Sequence, residues 1–363
     1  MGVGDFVFTA LKGQQAGRDY YVIMCPLKLV PKLFMFQAED LPASLKAQRT
    51  LNKSRIPEIA NYISNNKNDY IFSSLTVSID ADVKFENLSF EGDSKKQEDI
   101  GKLSVPMGSS FLINDGQHRR AAIELALKSS PDIGDETISV VLFIDIGLKK
   151  SQQMFADLNK HAVRPTRSIG ILYDHRDPLS CLSRDLINEV EVFKNLTEIE
   201  KTSISNRSTK LFTLSSIYVS TKQLLKKSKS NNLISESERE RAINFWNLVS
   251  ANMPDWKLAA TKKVSTFELR KDYIHSHALF MLVIGKIGAL LDESEIESKL
   301  SILKTIDWSR SNSSLWEGRA MHNGRISISH NSILLTENII KRKFGIALNN
   351  DELEAEKNYL GKV

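Results

Sequence analysis

The distribution of hydrophobic periodicities along the chain constrains its fold more than any other feature. Strand-like and helix-like patterns alternate through the first half, whereas the second half contains only helical patterns. In the first half, strands are predicted at 20–24, 71–79, 111–113 and 138–146, and helices at 43–64, 120–128 and 151–160. In the second half, helices are predicted at 179–194, 208–228, 235–252, 264–291, 293–305 and 330–344. The sequence therefore predicts an α+β protein, with an N-terminal α/β domain followed by a mainly α-helical domain.

Two domains are also expected from size. A chain of 363 residues exceeds what one hydrophobic core usually organises. The pair Asp177-Pro178 stands where the strand patterns have ended and the helical ones begin. The predicted domains are 1–177 and 178–363, and the polar stretch 86–102 is predicted to be an exposed loop or the tip of a hairpin.

The composition limits the cellular compartments and the kinds of partner that can be expected for this chain. The chain carries 49 Lys and Arg against 44 Asp and Glu, which permits an anionic partner without requiring one. Two cysteines provide no disulfide framework, and the N-terminal residues lack the features of a signal peptide. The apolar stretch 278–291 is too short to span a bilayer and is interrupted by Lys286. We expect a cytoplasmic protein without a membrane partner.

One short segment predicts an anion site. A strand ends, a glycine follows, and a helix begins with two arginines in its first turn; the residues are Asp115, Gly116, Gln117, His118, Arg119 and Arg120. Arginines at a helix N-terminus oppose the helix dipole, a conflict that a bound anion would resolve. Asp115 could cap the helix or hold an arginine. The alternative is an ordinary strand-to-helix turn with solvated arginines.

The segment Asp-Gly-Gln-His-Arg resembles the signature of DGQHR-domain proteins, which are similar to the ParB/sulfiredoxin superfamily. Gly116 and Arg119 match both ParB and sulfiredoxin turns. The resemblance implies that this turn binds nucleotide phosphates. Gln117 stands where sulfiredoxins have their redox cysteine, so sulfiredoxin-type reductase activity is not expected.

The stretch 155–166 is similar to the ParB segment that closes over a nucleotide and its magnesium. The resemblance implies that Asn159, Lys160, His161 and Arg164 contact phosphate, with Asn159 as the candidate linked to metal. A nucleoside triphosphate with Mg²⁺ is then the implied cofactor. The alternative is a helix end with a polar cap and solvated basic residues.

The resemblance extends to the DndB family of DNA phosphorothioation systems, through 49–63, the DGQHR turn, 159–164 and 308–343. It implies a DNA-binding regulator, a transcriptional repressor of a phosphorothioate-modification gene cluster. The implied partners are double-stranded DNA and other phosphorothioation proteins, and a homo-oligomer is compatible with the sequence. Two alternatives stay open: a ParB-like nucleoside triphosphatase acting in DNA modification or defence, and a non-catalytic assembly module.

The basic residues are concentrated in one place. Between 201 and 230 there are seven Lys and Arg and no acidic residue. A basic helix face can follow a phosphate backbone, so this stretch predicts a DNA-binding surface; its candidates are Lys210, Lys222, Lys226, Lys227 and Lys229. A recognition helix at 212–225 is a further possibility. The alternative is a solvated helix face.

Other charged and histidine clusters carry weaker predictions. Two further basic groups are Lys257, Lys262, Lys263, Arg270 and Lys271, and Arg310, Arg319 and Arg325. Trp308 and Trp316 are expected in the core. His275 and His277 are two residues apart in a helical pattern, which directs their rings apart, so no metal site is predicted.

Overall fold

The computed structural model describes residues 4–34, 53–88, 99–160, 165–228 and 231–361. The chain forms two compact units, Met1–Val163 and Arg164–Val363. The division therefore lies N-terminal to the predicted boundary at 177/178. The short helix that follows residue 166 belongs to the second unit.

A seven-stranded mixed sheet forms the first unit. Its strands are β1 (Asp5–Gln15), β2 (Arg18–Pro26), β3 (Leu75–Asp80), β4 (Lys84–Asn87), β5 (Ile100–Pro106), β6 (Ser110–Asp115) and β7 (Thr137–Ile144). The spatial order is β4-β5-β1-β2-β7-β3-β6, so β6 is an edge strand. The pair β3 and β7 is parallel, and the other pairs are antiparallel.

The described residues of this unit also form four helices: α1 (Val30–Leu33), α2 (Arg55–Asn65), α3 (Gln117–Ser129) and α4 (Ser151–Lys160). Single turns of 3₁₀ helix occur at Pro131–Asp135 and Ile146–Leu148. Helix α3 packs its buried Ala122, Ile123 and Ala126 towards the core of this unit. The predicted 43–64 helix is observed only as α2, since 35–52 lies outside the described residues.

The sequence patterns missed strand β1 of this unit, and both ends of the predicted loop or hairpin tip at 86–102 lie in strands. The long strand β1 was not predicted, although Phe6, Phe8 and Ala10 alternate with residues of the opposite face; it pairs with both β2 and β5. The stretch 86–102, predicted to be a loop or hairpin tip, includes the end of β4 and the start of β5. These strands pair from Lys84–Ser104 to Asn87–Gly101, which is a hairpin arrangement.

The second unit is mainly helical. Its helices are α5 (Arg167–Tyr173), α6 (Pro178–Glu189), α7 (Glu191–Leu196), α8 (Leu214–Leu224), α9 (Glu236–Ala251), α10 (Pro254–Ala260), α11 (Thr266–Asp272), α12 (Ala278–Gly288), α13 (Ile296–Leu300), α14 (Ser313–Trp316), α15 (His330–Lys343) and α16 (Asn350–Leu360). Turns of 3₁₀ helix occur at Ile274–Ser276 and Ser301–Thr305. The prediction that strands end near 179 was slightly wrong. Two-residue strands pair Thr197–Glu198 with Phe212–Thr213 and Met321–His322 with Arg325–Ile326.

Helices α8 and α12 approach closely at the centre of this unit. A Cβ on Gly285 would stand 2.4 Å from the backbone oxygen of Ser220, so only glycine fits at that contact. Aromatic side chains fill the surrounding core. Trp308 and Trp316 lie in this core, as predicted, and their rings stack with centroids 5.3 Å apart.

The α+β class is confirmed by these two units, and the likeness of the first to ParB and sulfiredoxin stays a prediction. None of the described helices combines the length and apolar character needed to cross a bilayer.

Candidate functional site

The DGQHR turn connects the edge strand β6 to helix α3. Gly116 stands before the first residue of α3 with φ +106°, in the left-handed region that side chains disfavour. A Cβ at this position would lie 2.4 Å from Cδ2 of Leu75, at the start of β3. The glycine therefore allows both the turn and the close approach of the backbone to the neighbouring strand.

Arg119 holds the turn against the segment before β3. One of its terminal nitrogens donates to the backbone carbonyls of Ser73 at 2.5 Å and Ser74 at 2.8 Å. The other contacts the Asp115 carboxylate at 2.5 Å, one helical turn away. The expectation that Asp115 holds an arginine agrees with this geometry. Because two carbonyls and a carboxylate surround the guanidinium, its charge is already partly compensated within the turn.

Arg120 is directed to the opposite side and is 9% exposed. Its Nε donates to the Phe34 carbonyl at 2.8 Å, and Nη2 donates to the Pro31 carbonyl at 3.0 Å. Nη1 contacts the Glu124 carboxylate at 2.5 Å. These bonds join α3 to the C-terminal end of α1. The alternative of solvated arginines is therefore wrong for Arg120, whose donors are bonded within the protein.

His118 and Arg55 provide positive or donor groups nearer to solvent. Burial lowers the pKa of His118, and the positive charge of Arg55 lowers it further, while Asp115 opposes the change. Arg55 is the first residue of α2 and is exposed. Gln117 uses its amide to donate to the Ile113 carbonyl at 3.2 Å. The turn therefore brings Arg55 close to His118, a neighbour that sequence spacing did not indicate.

Asn114 is a positioning residue that the sequence reasoning did not single out. It is completely buried at the end of β6, and its amide donates to Ser78 Oγ at 2.7 Å and lies 3.1 Å from the sulfur of Met154. Ser78 belongs to β3 and Met154 to α4, so one amide connects three elements directly before the turn. The available sequence signal was an Asn directly after the apolar run 111–113 and two positions before the glycine.

The structure describes only part of the second segment that was predicted to contact phosphate, 155–166. Asn159 and Lys160 are exposed in the last turn of α4, and the Asn159 amide donates to the Phe155 carbonyl of its own helix at 2.8 Å. His161 and Arg164 lie outside the described residues. No group of three or more His, Cys, Asp or Glu side chains in the described ranges could hold a metal ion.

The predicted DNA surface needs a correction at Lys227. Its side chain is 4% exposed, and Nζ lies 2.6 Å from the Glu238 carboxylate and donates to the Leu233 carbonyl at 2.6 Å. The amine of Lys210 donates to the Asn195 carbonyl at 2.9 Å. Lys226 is exposed, Lys222 is half-buried, and Lys229 lies outside the described residues. Sequence spacing identified the charges but not their internal partners.

Helix α8 packs one face into the core of the second unit. Leu214, Ile217 and Leu224 are buried, together with the small polar side chains between them. Thr213 caps the helix through a bond from the Ser216 amide at 3.1 Å, and the Ser216 hydroxyl lies 3.2 Å from the Thr213 nitrogen. The recognition helix suggested at 212–225 stays a prediction for the remaining face, which carries the half-buried Lys222 and the exposed Gln223.

A cleft in the second unit brings together residues from the two weaker basic clusters. Arg270 and Lys271 of α11 and Arg310 line a cavity of about 570 Å³. The Arg310 guanidinium donates to the Lys271 carbonyl at 2.7 Å, and the Arg310 amide donates to the Asp272 carbonyl at 2.8 Å. Because Arg270 and Arg310 are 40 positions apart, the sequence presented their two clusters as separate groups.

The two neighbouring histidines serve different structural purposes. His275 is completely buried, accepts at Nδ1 from the Trp256 indole at 3.1 Å and places Nε2 3.2 Å from Asp255. His277 donates from Nε2 to the Arg270 carbonyl at 2.8 Å, and burial lowers its pKa to about 4. His277 is thus neutral at physiological pH.

The fold and turn define a two-unit α+β protein with a DGQHR strand-to-helix turn. A family model for DndB, described as DNA-sulfur modification-associated, matches residues 8–347. The chain therefore belongs to the DndB family and is associated with DNA phosphorothioation. No curated protein and no solved structure matches the chain.

Proposed function

We propose that the protein is a DNA-binding regulator that represses the gene cluster for phosphorothioate modification. The observation that carries the proposal is the stretch 201–230, which has seven basic residues and no acidic one. Family membership supplies the biological setting, since the matching model is associated with DNA-sulfur modification. Basic side chains contact phosphates without reading bases, so they account for affinity before specificity.

The solvent-facing members of this stretch are the relevant ones. Lys201, Arg207 and Lys226 are exposed, and Lys222 is half-buried. Lys227 is committed to Glu238 and contributes little charge to a surface. A charge reversal at Lys227 would therefore disturb folding and DNA binding together. Lys222 and Lys226 are the better pair for a binding test.

The test measures binding of the full chain to duplex DNA from upstream of the modification genes, by fluorescence anisotropy across a salt series. We expect the double variant Lys222→Glu/Lys226→Glu to weaken binding by about tenfold or more and to reduce the salt slope by roughly two. The control is Lys84→Glu/Lys149→Glu, an equal charge change at exposed positions of the first unit. Equal binding by wild type and the first variant would refute this surface.

A second candidate is nucleotide binding at the DGQHR turn. The observation that favours it is the proximity of Arg55 to His118 at the start of α3, where the first backbone N–H groups of a helix are unpaired within the helix. Arg119 and Arg120 would support such a site by holding the turn in place. Hydrolysis would make the protein a nucleoside triphosphatase.

Nucleotide binding is tested by calorimetry with a nucleoside triphosphate and Mg²⁺, together with an assay for released phosphate. Arg55→Ala should weaken binding by about tenfold, since it removes a charge without removing a core contact. Arg18→Ala, at an exposed position of β2, is the matched control. A wild-type chain that neither binds nor hydrolyses the nucleotide would eliminate this candidate. Capture of phosphorothioation proteins by a chain with neither activity would favour the assembly role.

A further inference from the structure

The cleft of the second unit combines positive charge with apolar walls. Its volume of about 570 Å³ is in the range of small-molecule sites. Its lining includes the cations Arg270, Lys271 and Arg310 and contains no Asp or Glu. A concave surface with one sign of charge concentrates ligands of the opposite sign. Anions are therefore the class of ligand that this cleft favours.

The cations of the cleft are held by carbonyls and not by carboxylates. Arg270 donates to the backbone carbonyls of Ser205 at 3.1 Å and Ser208 at 3.0 Å, and also contacts that of Lys210. Within the described ranges, neither arginine of the cleft forms an ion pair with an acidic side chain. Carbonyl oxygens fix a guanidinium in place without cancelling its unit charge. The cleft therefore keeps an uncompensated positive charge.

Lys271 differs from the two arginines because it is exposed and its ammonium group forms no hydrogen bond or ion pair with the described residues. Its ammonium group is available to an incoming ligand. His277 adds no positive charge, since burial lowers its pKa to about 4 and its Nε2 proton is donated to Arg270. The positive charge of this lining therefore comes from Lys271, Arg270 and Arg310.

The ends of two long helices reinforce this charge. Helices α8 and α12 each contain 11 residues, and their N-terminal flanking residues Thr213 and His277 both line the cleft. The positive ends of two helix dipoles therefore converge on the same cavity. Phe267 and Ile328 form part of the lining and are 43% and 56% exposed. Such an apolar rim could contact a base or a sugar.

We propose that this cleft binds a phosphate group, carried either by the backbone of DNA or by a free nucleotide. The Lys271 ammonium group and the two helix ends would contact the phosphate oxygens, and Phe267 would cover the attached sugar or base. The guanidinium charges of Arg270 and Arg310, fixed by backbone carbonyls, would attract the phosphate to the cleft. If the phosphate belongs to DNA, the proposal rests on the proposed function and identifies the cleft as a surface that contacts the DNA backbone. The free-nucleotide version is independent of it. Both versions are distinct from the DGQHR turn, which belongs to the other unit.

The sharpest variant is Ala278→Asp. Ala278 is exposed, lines the cleft and is the first residue of α12. A carboxylate there complements the helix dipole, so it should leave the fold intact while repelling a phosphate. Ala278→Asn is the matched control, because it adds nearly the same volume without charge. A second variant, Lys271→Glu, is paired with Lys257→Glu, an exposed lysine outside this lining.

Each variant is first checked for an unchanged urea midpoint and is then measured with two probes, a short DNA duplex by anisotropy and a nucleoside triphosphate by calorimetry. We expect Ala278→Asp and Lys271→Glu to weaken at least one probe by about tenfold, while both controls bind like wild type. Loss of duplex binding alone identifies a backbone phosphate. Loss of triphosphate binding alone identifies a free nucleotide.

The remaining outcomes separate this inference from the proposed function. If the two cleft variants bind both probes as wild type does, or if wild type binds neither probe, the cleft proposal is overturned. Duplex binding that survives the cleft variants but is lost in Lys222→Glu/Lys226→Glu leaves the proposed function standing alone. Triphosphate binding that depends on the cleft, in a chain that does not bind DNA, would support the cleft and refute the regulator.

Discussion

Arg120 donates a hydrogen bond from Nε to the backbone carbonyl of Phe34, a residue 86 positions earlier in the chain. The guanidinium thus connects the first turn of α3 to the end of α1. An arginine placed where it opposes a helix dipole is explained here by partners outside its helix. In a family motif, such a residue can be required for the shape of the turn as much as for its ligand.

This relationship predicts a large effect of Arg120→Ala on stability. The substitution leaves the Phe34 and Pro31 carbonyls without their donor and removes the pair with Glu124, so we expect the free energy of unfolding to fall by roughly 2–4 kcal/mol. Urea denaturation of the full chain measures it. Glu124→Gln should cost less than about 1 kcal/mol, because that carboxylate is partly exposed. A fully stable Arg120→Ala protein would contradict the structural role.

Gly116→Ala should destabilise the protein by roughly 1–3 kcal/mol. The new Cβ would meet the Leu75 side chain at 2.4 Å, and the backbone stands at φ +106°. Thermal unfolding provides the measurement. Gly108→Ala is the control, since a Cβ at Gly108 meets nothing within 4 Å. Similar melting temperatures for the two variants would argue against this turn geometry.

Lys227→Met should lower stability by roughly 1–3 kcal/mol, because it removes the partner of Glu238 and of the Leu233 carbonyl from a buried position. The methionine keeps most of the apolar stem, so the loss reports mainly on the charge. Lys226→Met, one residue earlier and exposed, should stay within about 0.5 kcal/mol of wild type. The comparison uses urea midpoints at constant salt, and the reverse order of stabilities would count against the placement of these lysines.

Acid should destabilise the second unit through Glu356. Burial by itself raises the pKa of this carboxyl, but the hydrogen bond and the charge of Arg319, at 2.5 Å, together lower it by more than burial raises it. The net pKa therefore lies below its ordinary value of 4.5. A carboxyl group whose pKa is lower in the folded than in the unfolded protein stabilises the folded state at pH values above the unfolded pKa. That contribution is lost as the pH falls through the folded pKa.

The measurement is the urea midpoint between pH 7 and about pH 3, on wild type and Glu356→Gln. We expect the variant to lose roughly 3 kcal/mol at pH 7 and to show a smaller further decrease in acid. The exposed Glu354→Gln serves as the control and should follow the wild-type curve. A pH profile for Glu356→Gln that is parallel to wild type would exclude this pair as a source of acid sensitivity.

Local patterns predicted much of the first unit correctly. The strands β2 and β7 and the helix α3 lie where periodicity placed them, because their buried residues recur with the period of each element. Strand β6 and helix α4 also lie where they were predicted, although β6 has three consecutive buried residues and α4 is mostly exposed. Strand β1 was not predicted because its alternation mixes aromatic with small residues and because its exposed face includes the apolar Val7 and Leu11. Helix α16 was not predicted because its sequence is rich in acidic residues and has few apolar positions to show a helical period.

For the candidate sites, too, some features could be predicted from the sequence and others depended on the tertiary structure. The sequence by itself determined the α+β class, the family and the glycine turn, since these depend on residue type and spacing along a short segment. Tertiary structure decided which charges are available. Contacts distant in sequence bury Lys227 against Glu238, direct Arg120 to Phe34 and join Arg270 to Arg310 in one cleft. The physical reason is that a charged side chain is neutralised or exposed by neighbours brought close only when the chain folds.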